Sequence, residues 1–158
     1  MIKLPYSEGD VFYFPLDCGS YSVGLVARSP KYGKVLLGYF FAIKFSMPPR
    51  EVDATKLTSK NVVKVCRFGD ASLYARDWPI IGHLPNWNRR DWPMPKFIRR
   101  DILRPTAQLI SYDDNDPNKE IGSTLCDRNL HEYGEDGVLG ARYVEIILSR
   151  LLKDIPSS

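Results

Sequence analysis

The sequence has few of the residues that build disulfides, metal centres or catalytic sites. It contains two histidines and three cysteines, Cys18, Cys66 and Cys126, which are widely spaced and include no Cys-x-x-Cys pair. An odd number of isolated thiols excludes a disulfide framework, and their spacing excludes a zinc site of the usual kind. Because free thiols suit a reducing compartment, we expect a cytoplasmic protein.

Long apolar runs and the common phosphate-binding and hydrolase motifs are also missing. No segment approaches the roughly 20 apolar residues of a membrane helix, and residues 1–6 lack the apolar core of a signal peptide. Glycine-rich phosphate loops, GxSxG and HExxH do not occur. We therefore expect a soluble protein with no membrane contact, no cofactor, no bound metal and no small-molecule substrate.

The two histidines give little support to an enzyme. His83 lies inside an apolar stretch, which favours a hydrogen-bonded structural histidine, and His131 lies in an acidic segment and should be exposed. A nucleophilic pair of one cysteine and one histidine stays formally open, but the pattern does not select any such pair. Acid pairs in the polar loops resemble solvated charge rather than an acid–base couple, which needs burial. We expect no catalytic residue.

The composition is that of an ordinary globular domain. The 158 residues are 44% hydrophobic and 26% charged, which argues against global disorder and predicts one domain spanning 1–158. The net charge of +3 is too small to indicate nucleic acid by itself. Twelve prolines and eleven glycines favour many turns and short strands over a helical bundle.

Apolar runs bounded by glycine and proline predict an antiparallel sheet. The predicted strands occupy residues 11–16, 21–29, 35–45, 61–68, 78–84, 108–112 and 120–125. The loops between the first three are too short for a parallel crossover, and the first strand should end near Pro15 or lie at an edge. Gly38 predicts a bulge, and Asp70 predicts the cap of a single helical turn.

The hydrophobic period changes from two to about 3.6 near the C-terminus. Apolar residues recur at helical spacing, at Val144, Ile147, Leu148, Leu151, Leu152 and Ile155. Asp136 is predicted to lie just before the helix start, where the helix dipole favours an acid, and Pro156 should end the helix. We therefore predict an α+β fold: an antiparallel, strongly bent sheet or partly open barrel packed against a C-terminal amphipathic helix.

Two clusters of charge are the candidate binding surfaces. The basic cluster comprises Arg89, Arg90, Lys96, Arg99, Arg100 and Arg104, with Trp87 and Trp92 among them. The acidic cluster comprises Asp113, Asp114, Asp116, Glu120, Asp127, Glu132, Glu135 and Asp136. The basic cluster is either a surface for nucleic acid or an acidic partner, or a solubilising rim around a tryptophan–proline turn. The acidic cluster is either a face for a basic protein or solvated loop charge.

A resemblance to a known family is carried by four segments: Gly9-Asp10-Val11-Phe12-Tyr13-Phe14-Pro15-Leu16, Tyr21 with Gly24-Leu25-Val26, Trp78-Pro79-Ile80-Ile81-Gly82-His83-Leu84-Pro85, and Pro95-Lys96-Phe97. In order and spacing these segments resemble the immunity-protein-26 family of bacterial polymorphic toxin systems. The third segment is the most specific of the four. Residues 41–60 and 86–93 follow no pattern of that family.

The resemblance implies a non-enzymatic protein that binds a cognate contact-dependent or secreted toxin domain and neutralises it. Charge and expected exposure supply two candidate sets for the partner-binding surface. One set is Trp87, Arg89, Arg90 and Trp92, and the other is Asp113, Asp114, Asp116, Glu132, Glu135 and Asp136. The alternative function is a small nucleic-acid-binding β-barrel that uses the basic tryptophan stretch at 87–104.

Overall fold

A computed structural model describes residues 3–158 of the chain. Its strands are β1 (Asp10–Pro15), β2 (Tyr21–Arg28), β3 (Val35–Phe41), β4 (Val62–Gly69), β5 (Ile80–His83), β6 (Phe97–Arg100), β7 (Thr106–Asp113), β8 (Asp116–Asp127), β9 (Gly134–Glu135) and β10 (Val138–Leu139). Its α-helices are α1 (Ala71–Tyr74) and α2 (Ala141–Leu151), and short 3-10 helices span Ala54–Lys56, Ser59–Asn61 and Arg89–Asp91. No helix in this part of the chain is long and apolar enough to cross a membrane.

The strands form two open sheets. The large sheet has six strands in the order β10-β4-β3-β2-β1-β5, and the small sheet has four in the order β8-β7-β6-β9. Neighbours are antiparallel except for β10 beside β4 and β6 beside β9. The predicted α+β class is confirmed, with the strands divided between two sheets. β6, which the sequence pattern did not predict, begins the second sheet after residues 84–96 carry the chain away from β5.

The large sheet is the middle of three layers, with α2 on one face and the small sheet on the other. Strands β2 and β3 are therefore buried on both faces, which explains their near-continuous apolar sequence. In β1, Phe12 and Phe14 face the helix layer, whereas Val11 faces the small sheet. The alternation follows from the period-two geometry of a strand.

The core beneath α2 is built on aromatic rings. The Trp78 ring stacks on Phe12 at a centroid distance of 5.4 Å, and its Nε1 donates a hydrogen bond of 3.0 Å to Glu145 on α2. Val144 and Leu148 of α2 are fully buried against these rings. Leu151, which was predicted to share their stripe, is 46% exposed. Trp78, two residues before β5, thus joins the helix to the sheet.

Two glycines make room for the aromatic rings under the helix. A Cβ atom on Gly24 would lie 2.5 Å from Cζ of Phe12, and one on Gly38 would lie 2.6 Å from Cε1 of Phe68. The predicted bulge at Gly38 is wrong in its position. The irregularity lies in the neighbouring strand β2, at Ala27, and Gly38 pairs regularly with β4.

The core between the sheets contains Trp92, which corrects the expectation that this side chain is exposed. Only 5% of Trp92 is accessible, and its ring packs edge-on against Tyr39 at 5.1 Å and Phe41 at 5.8 Å. The Tyr39 hydroxyl donates to the carbonyl of Pro93 at 2.5 Å, which holds the chain beside the ring. Trp92 therefore anchors the connection between the sheets from the inside.

Three local predictions can be compared directly with the structure. β1 ends at Pro15, as predicted. The 78–84 run supplies β5, but β5 lies at the edge of the large sheet. Only the flanking residues Trp78 and Leu84 are buried. Asp70 occupies the cap position of α1, but its side chain makes no capping bond. Its carboxylate instead accepts hydrogen bonds from the Tyr6 hydroxyl and the Lys34 amide.

Candidate partner-binding surface

The connection between the two sheets begins with a half-buried tryptophan. Trp87 lies against Gly9, whose φ of +92° is readily accessible to glycine and whose added Cβ would lie 2.9 Å from Cγ of Trp87. The same Cβ would lie 2.5 Å from Cε1 of His83. His83 is exposed and its Nδ1 lies 3.0 Å from Oδ1 of Asp10, so its hydrogen bond matches the prediction but its exposure does not match a core histidine.

A short 3-10 helix follows and positions two of the predicted arginines. Asn88 caps it by accepting a 3.0 Å hydrogen bond from the Arg90 amide. The Arg89 side chain then crosses to other elements: Nε donates to Glu8 at 3.1 Å, Nη1 donates to Asn115 at 2.9 Å, and Nη2 donates to the Asp114 carbonyl at 2.9 Å. Arg89 thus fixes the connection against the β7–β8 turn.

Arg28 lies under this junction and was not predicted from the sequence. Its side chain is only 3% exposed, and its Nε donates to Oδ1 of Asp114 at 2.8 Å. Its other nitrogens donate to the carbonyls of Ala27 at 2.6 Å and Arg89 at 3.2 Å. The basic and acidic clusters, which the sequence offered as alternatives, therefore meet at Asp114.

An open cleft of about 650 Å³ lies where these residues meet. It is lined by Arg28, Arg89, Arg90, Pro93, Met94, Pro95, Lys96, Ser111, Tyr112 and Asp114. Within residues 3–158, the side chains of Arg90 and Lys96 form no ion pair and no hydrogen bond. The cleft therefore combines apolar lining residues with two cations that are free to bind an acidic group.

A second depression of about 500 Å³ lies on the other side of Lys96. It is lined by residues 62–65, 95–97 and 131–134, and it includes His131 and Glu132, both exposed. We use the name mixed-charge surface for the two depressions together with five of their charged residues, Arg89, Arg90, Lys96, Asp114 and Glu132. Four of those five residues belong to the sets predicted from the sequence; Lys96 belongs to the basic cluster alone.

Asp136 lies between the sheets and not at the helix start, so its predicted position is wrong. The helix begins at Ala141, after a Gly140 cap. The Asp136 side chain is 7% exposed and lies 2.9 Å from Nη2 of Arg67 and 2.7 Å from Nη2 of Arg99. It also accepts a hydrogen bond from the Tyr112 hydroxyl. Asp136 is therefore a structural charge that joins the sheets and is not available on the surface.

The environment of Asp136 favours its ionised form. Burial by itself would raise the pKa of Asp136, but hydrogen bonds from Tyr112 and Arg99 and the adjacent guanidinium charges outweigh it and hold that pKa below its usual range. Burial and the hydrogen bond to Asp136 raise the pKa of Tyr112 to about 12. The Arg67 guanidinium also stacks 3.8 Å from the Tyr112 ring centre.

Most other members of the two clusters bind one another or their own turns. Arg99 pairs with Glu120 at 3.2 Å, and Arg100 pairs with Glu135. The two remaining predicted acids form side-chain turns: Asp113 accepts from the Asn115 amide at 2.8 Å, and Asp116 accepts from the Asn118 amide at 3.0 Å. These two carboxylates therefore match the alternative of solvated loop charge.

The comparison with family models decides where this chain belongs. The model described as Immunity protein 26 matches residues 7–109, well over half of the 158 residues. The chain belongs to the Immunity protein 26 family. No curated protein and no solved structure matches it.

The matched region of this Immunity protein 26 member covers five of the six strands of the large sheet and enters the small one. It contains β1 to β6, the motif at 78–85, and β7 as far as residue 109. Arg89, Arg90 and Lys96 lie inside it, whereas Asp114 and Glu132 lie beyond it. The mixed-charge surface is therefore assembled from both parts of the chain.

Proposed function

We propose that this chain is a non-enzymatic immunity protein that binds one cognate polymorphic toxin domain in the cytoplasm and blocks its activity. The observation that supports this most strongly is the family match over residues 7–109, because the family indicates toxin neutralisation. We propose one immunity domain over 1–158, acting by occlusion. Such an interface would bury about 1,200–2,000 Å² in total.

The mixed-charge surface is the proposed contact for the toxin. It is concave, Pro93 and Met94 line it with apolar surface, and Arg90 and Lys96 supply free cations. These features suit a protein segment that carries carboxylates. Trp92 and Asp136 are not part of the proposal, because both side chains are buried.

Preorganisation is a second argument for this surface. Arg89 is held by Glu8, Asn115 and the Asp114 carbonyl, so its orientation is fixed before any partner arrives. A side chain that is already ordered loses little conformational entropy on binding. Arg89 therefore forms a rigid wall of the cleft, and Arg90 beside it supplies the cation that a partner can pair.

The nucleic-acid alternative finds little support in the geometry. Trp92 is enclosed between the sheets and cannot stack on bases, and Arg89 and Arg99 are already paired with carboxylates. A filter-binding assay against salt provides the direct test of this alternative. Tight binding whose logarithm falls steeply with the logarithm of salt concentration would support nucleic acid as the partner.

The proposal is tested by growth rescue. Cells that express the toxin domain encoded directly upstream should grow when this chain is co-expressed. The double variant Arg90→Glu with Lys96→Glu should weaken the complex by about tenfold or more, equivalent to roughly 1.4 kcal/mol, and should reduce rescue. The control Lys153→Glu changes one exposed lysine beyond the end of α2 and should rescue fully.

The outcomes separate the function from its location. If the wild-type chain does not rescue growth and does not bind the toxin domain, the proposed function is wrong. If the double variant folds, as judged by circular dichroism, and rescues as well as the control, the function stands and the mixed-charge surface is wrong.

A further inference from the structure

A buried arginine ties together two segments that form one wall of the cleft. Arg28 is the last residue of β2, and its side chain is only 3% exposed. Its Nε donates to the Asp114 carboxylate in the β7–β8 turn, and its Nη2 donates to the Arg89 carbonyl in the 3-10 helix. Asp114 and Arg89 both belong to the mixed-charge surface. Arg28 therefore supports that surface from beneath, with almost no area that a partner could touch.

An irregularity in β2 directs Arg28 to this position. In a regular strand, successive side chains point to opposite faces, so Arg28 would lie on the helix side of the sheet with Val26. The pairing of β2 with β3 shifts register between Val26 and Arg28, and Ala27 packs in the core between the sheets. A β-bulge can redirect a side chain in this way. The shift places Arg28 on the side of Ala27, where it reaches the small sheet and the 3-10 helix.

Stability alone does not account for a charge at this position. Burying a guanidinium is costly, and replacing a buried ion pair by apolar residues is often neutral or stabilising. Within residues 3–158, Arg28 pairs with one carboxylate, that of Asp114, which is itself 56% exposed. An apolar residue cannot supply directed contacts, whereas a guanidinium holds its donors in a rigid planar fork. Here the fork reaches Asp114 and the carbonyls of Ala27 and Arg89.

The Arg89 carbonyl lies within the 3-10 helix that presents Arg90. It accepts a hydrogen bond from the Trp92 amide at 3.1 Å as well as the bond from Nη2 of Arg28 at 3.2 Å. Arg90 follows Arg89 directly, so the direction of its free side chain depends on the backbone of this helix. Fixing that backbone before a partner arrives reduces the conformational entropy lost on binding.

We propose that Arg28 is a positioning residue for the mixed-charge surface, which aligns the 3-10 helix with the β7–β8 turn and so holds Arg90 in place for the toxin. The inference rests on the proposed function. It goes beyond that proposal by giving control of affinity to a residue that lies almost wholly beneath the surface. The planar fork carries this role, and the positive charge by itself does not.

Two substitutions separate the fork from the charge. Arg28→Lys keeps the charge but loses the rigid fork, and Arg28→Met removes both and leaves no charge to bury. Both should raise the dissociation constant of the complex with the toxin domain several-fold or more, as measured by isothermal titration calorimetry. The control Val144→Ala truncates a fully buried side chain beneath α2, so it should lower stability and leave the dissociation constant unchanged.

Circular dichroism and thermal unfolding confirm that each variant is folded before its affinity is compared. Arg28→Met needs no buried charge, so it provides the test if Arg28→Lys does not fold.

A double-mutant cycle separates positioning from a general loss of stability. Arg90→Ala should weaken the complex less in the Arg28→Met background than in the wild-type background, because Arg90 is then no longer held in place. In the Val144→Ala background, Arg90→Ala should have its full effect. Additive losses for Arg28→Met and Arg90→Ala would overturn the inference.

Hydrogen exchange of the chain without the toxin tests the ordering of the two segments directly. Arg28→Met should speed exchange of the Trp92 amide, which donates to the Arg89 carbonyl, and of the Asn115 amide in the β7–β8 turn. The increase should exceed any change that Val144→Ala produces at the same amides. Equal exchange in the two variants would show that Arg28 does not order these segments.

The remaining outcomes distinguish this inference from the proposed function. If the wild-type chain binds the toxin domain and both Arg28 variants bind it equally well, the inference is wrong and the proposed function stands. If the wild-type chain does not bind the toxin domain, the proposed function is wrong and the inference falls with it.

Discussion

The two faces of the large sheet are packed by different physics. Beneath α2, the interface is mostly apolar. Trp78 donates one hydrogen bond to Glu145, and the buried Lys44 ammonium donates another to the Leu152 carbonyl at 3.1 Å. Against the small sheet, an apolar centre is bordered by ion pairs, of which Arg67 with Asp136 is the most buried, and the buried Arg28 pairs there with the more exposed Asp114. Apolar burial stabilises the helix side, whereas on the other side charged groups also fix the lateral position of the sheets.

This difference matters for the proposed surface. The ion pairs that join the sheets also build the wall of the cleft, because Asp114 binds both Arg28 and Arg89. Ion pairs favour one relative arrangement of the layers over others, since a shift leaves a buried charge unpaired. The sheet–sheet side therefore contributes to the shape of the site as well as to stability.

The largest expected effect is on the helix side. Trp78→Ala removes a fully buried indole that stacks on Phe12, and it should lower the free energy of unfolding by about 3–5 kcal/mol. Urea denaturation measures the change. The control is Tyr32→Ala, which removes an exposed aromatic side chain and should have little effect on stability. If Trp78→Ala lost no more stability than Tyr32→Ala, the assignment of Trp78 to the core would be wrong.

A smaller loss of stability is expected from a substitution at the ion pairs between the sheets. Asp136→Asn leaves the buried Arg67 without its anionic partner and should cost about 3 kcal/mol, the low end for a broken buried pair, because Arg99 can reach solvent. The control is Glu120→Gln, which breaks an exposed pair with Arg99 and should cost less than about 1 kcal/mol. Equal losses of stability for Asp136→Asn and Glu120→Gln would contradict the claim that the buried ion pair contributes more than the exposed one.

Acid denaturation sharpens the same contrast. Because the pKa of Asp136 is lower in the folded state than in the unfolded state, its contribution is fully present above the unfolded value of about 3.9 and is lost as pH falls through the folded pKa. The free energy of unfolding of the wild-type chain should therefore decrease as the pH is lowered below about 4. Asp136→Asn should show a shallower decline, and parallel profiles for the two proteins would contradict this.

The smallest of these effects concerns packing under the helix. Gly38→Ala places a methyl group against the Phe68 ring and should cost about 1–3 kcal/mol through overpacking. Gly122→Ala is the control, because a methyl group there meets open space. Thermal unfolding compares the two variants, and a Gly38→Ala protein as stable as the control would show that the rings can yield.

The core beneath α2 was easier to predict from the sequence than the ion pairs between the two sheets. The near-continuous apolar runs of β2 and β3, the alternation in β4 and the helical spacing near the C-terminus indicate local structure, because burial of one or both faces of an element imposes those patterns. Trp92 was misjudged because it lies among arginines and prolines. Its burial depends on Tyr39 and Phe41, which are distant in the sequence.

The charged side could not be predicted in the same way. Arg89, Arg90 and Asp114 were candidates, but their convergence depends on Arg28, an arginine at the end of a strand that otherwise reads as apolar. Asp136 was assigned to a helix start because the local pattern places an acid there. Its partner Arg67 lies far away in the sequence, and no period records such a pairing.

Hydrogen exchange with and without the proposed toxin partner tests most directly the claim that the mixed-charge surface binds the toxin. The account predicts slowed exchange at residues 87–96 and 111–116, with the outer face of α2 unchanged. Slowed exchange confined to α2, or no change anywhere in the chain, would contradict it.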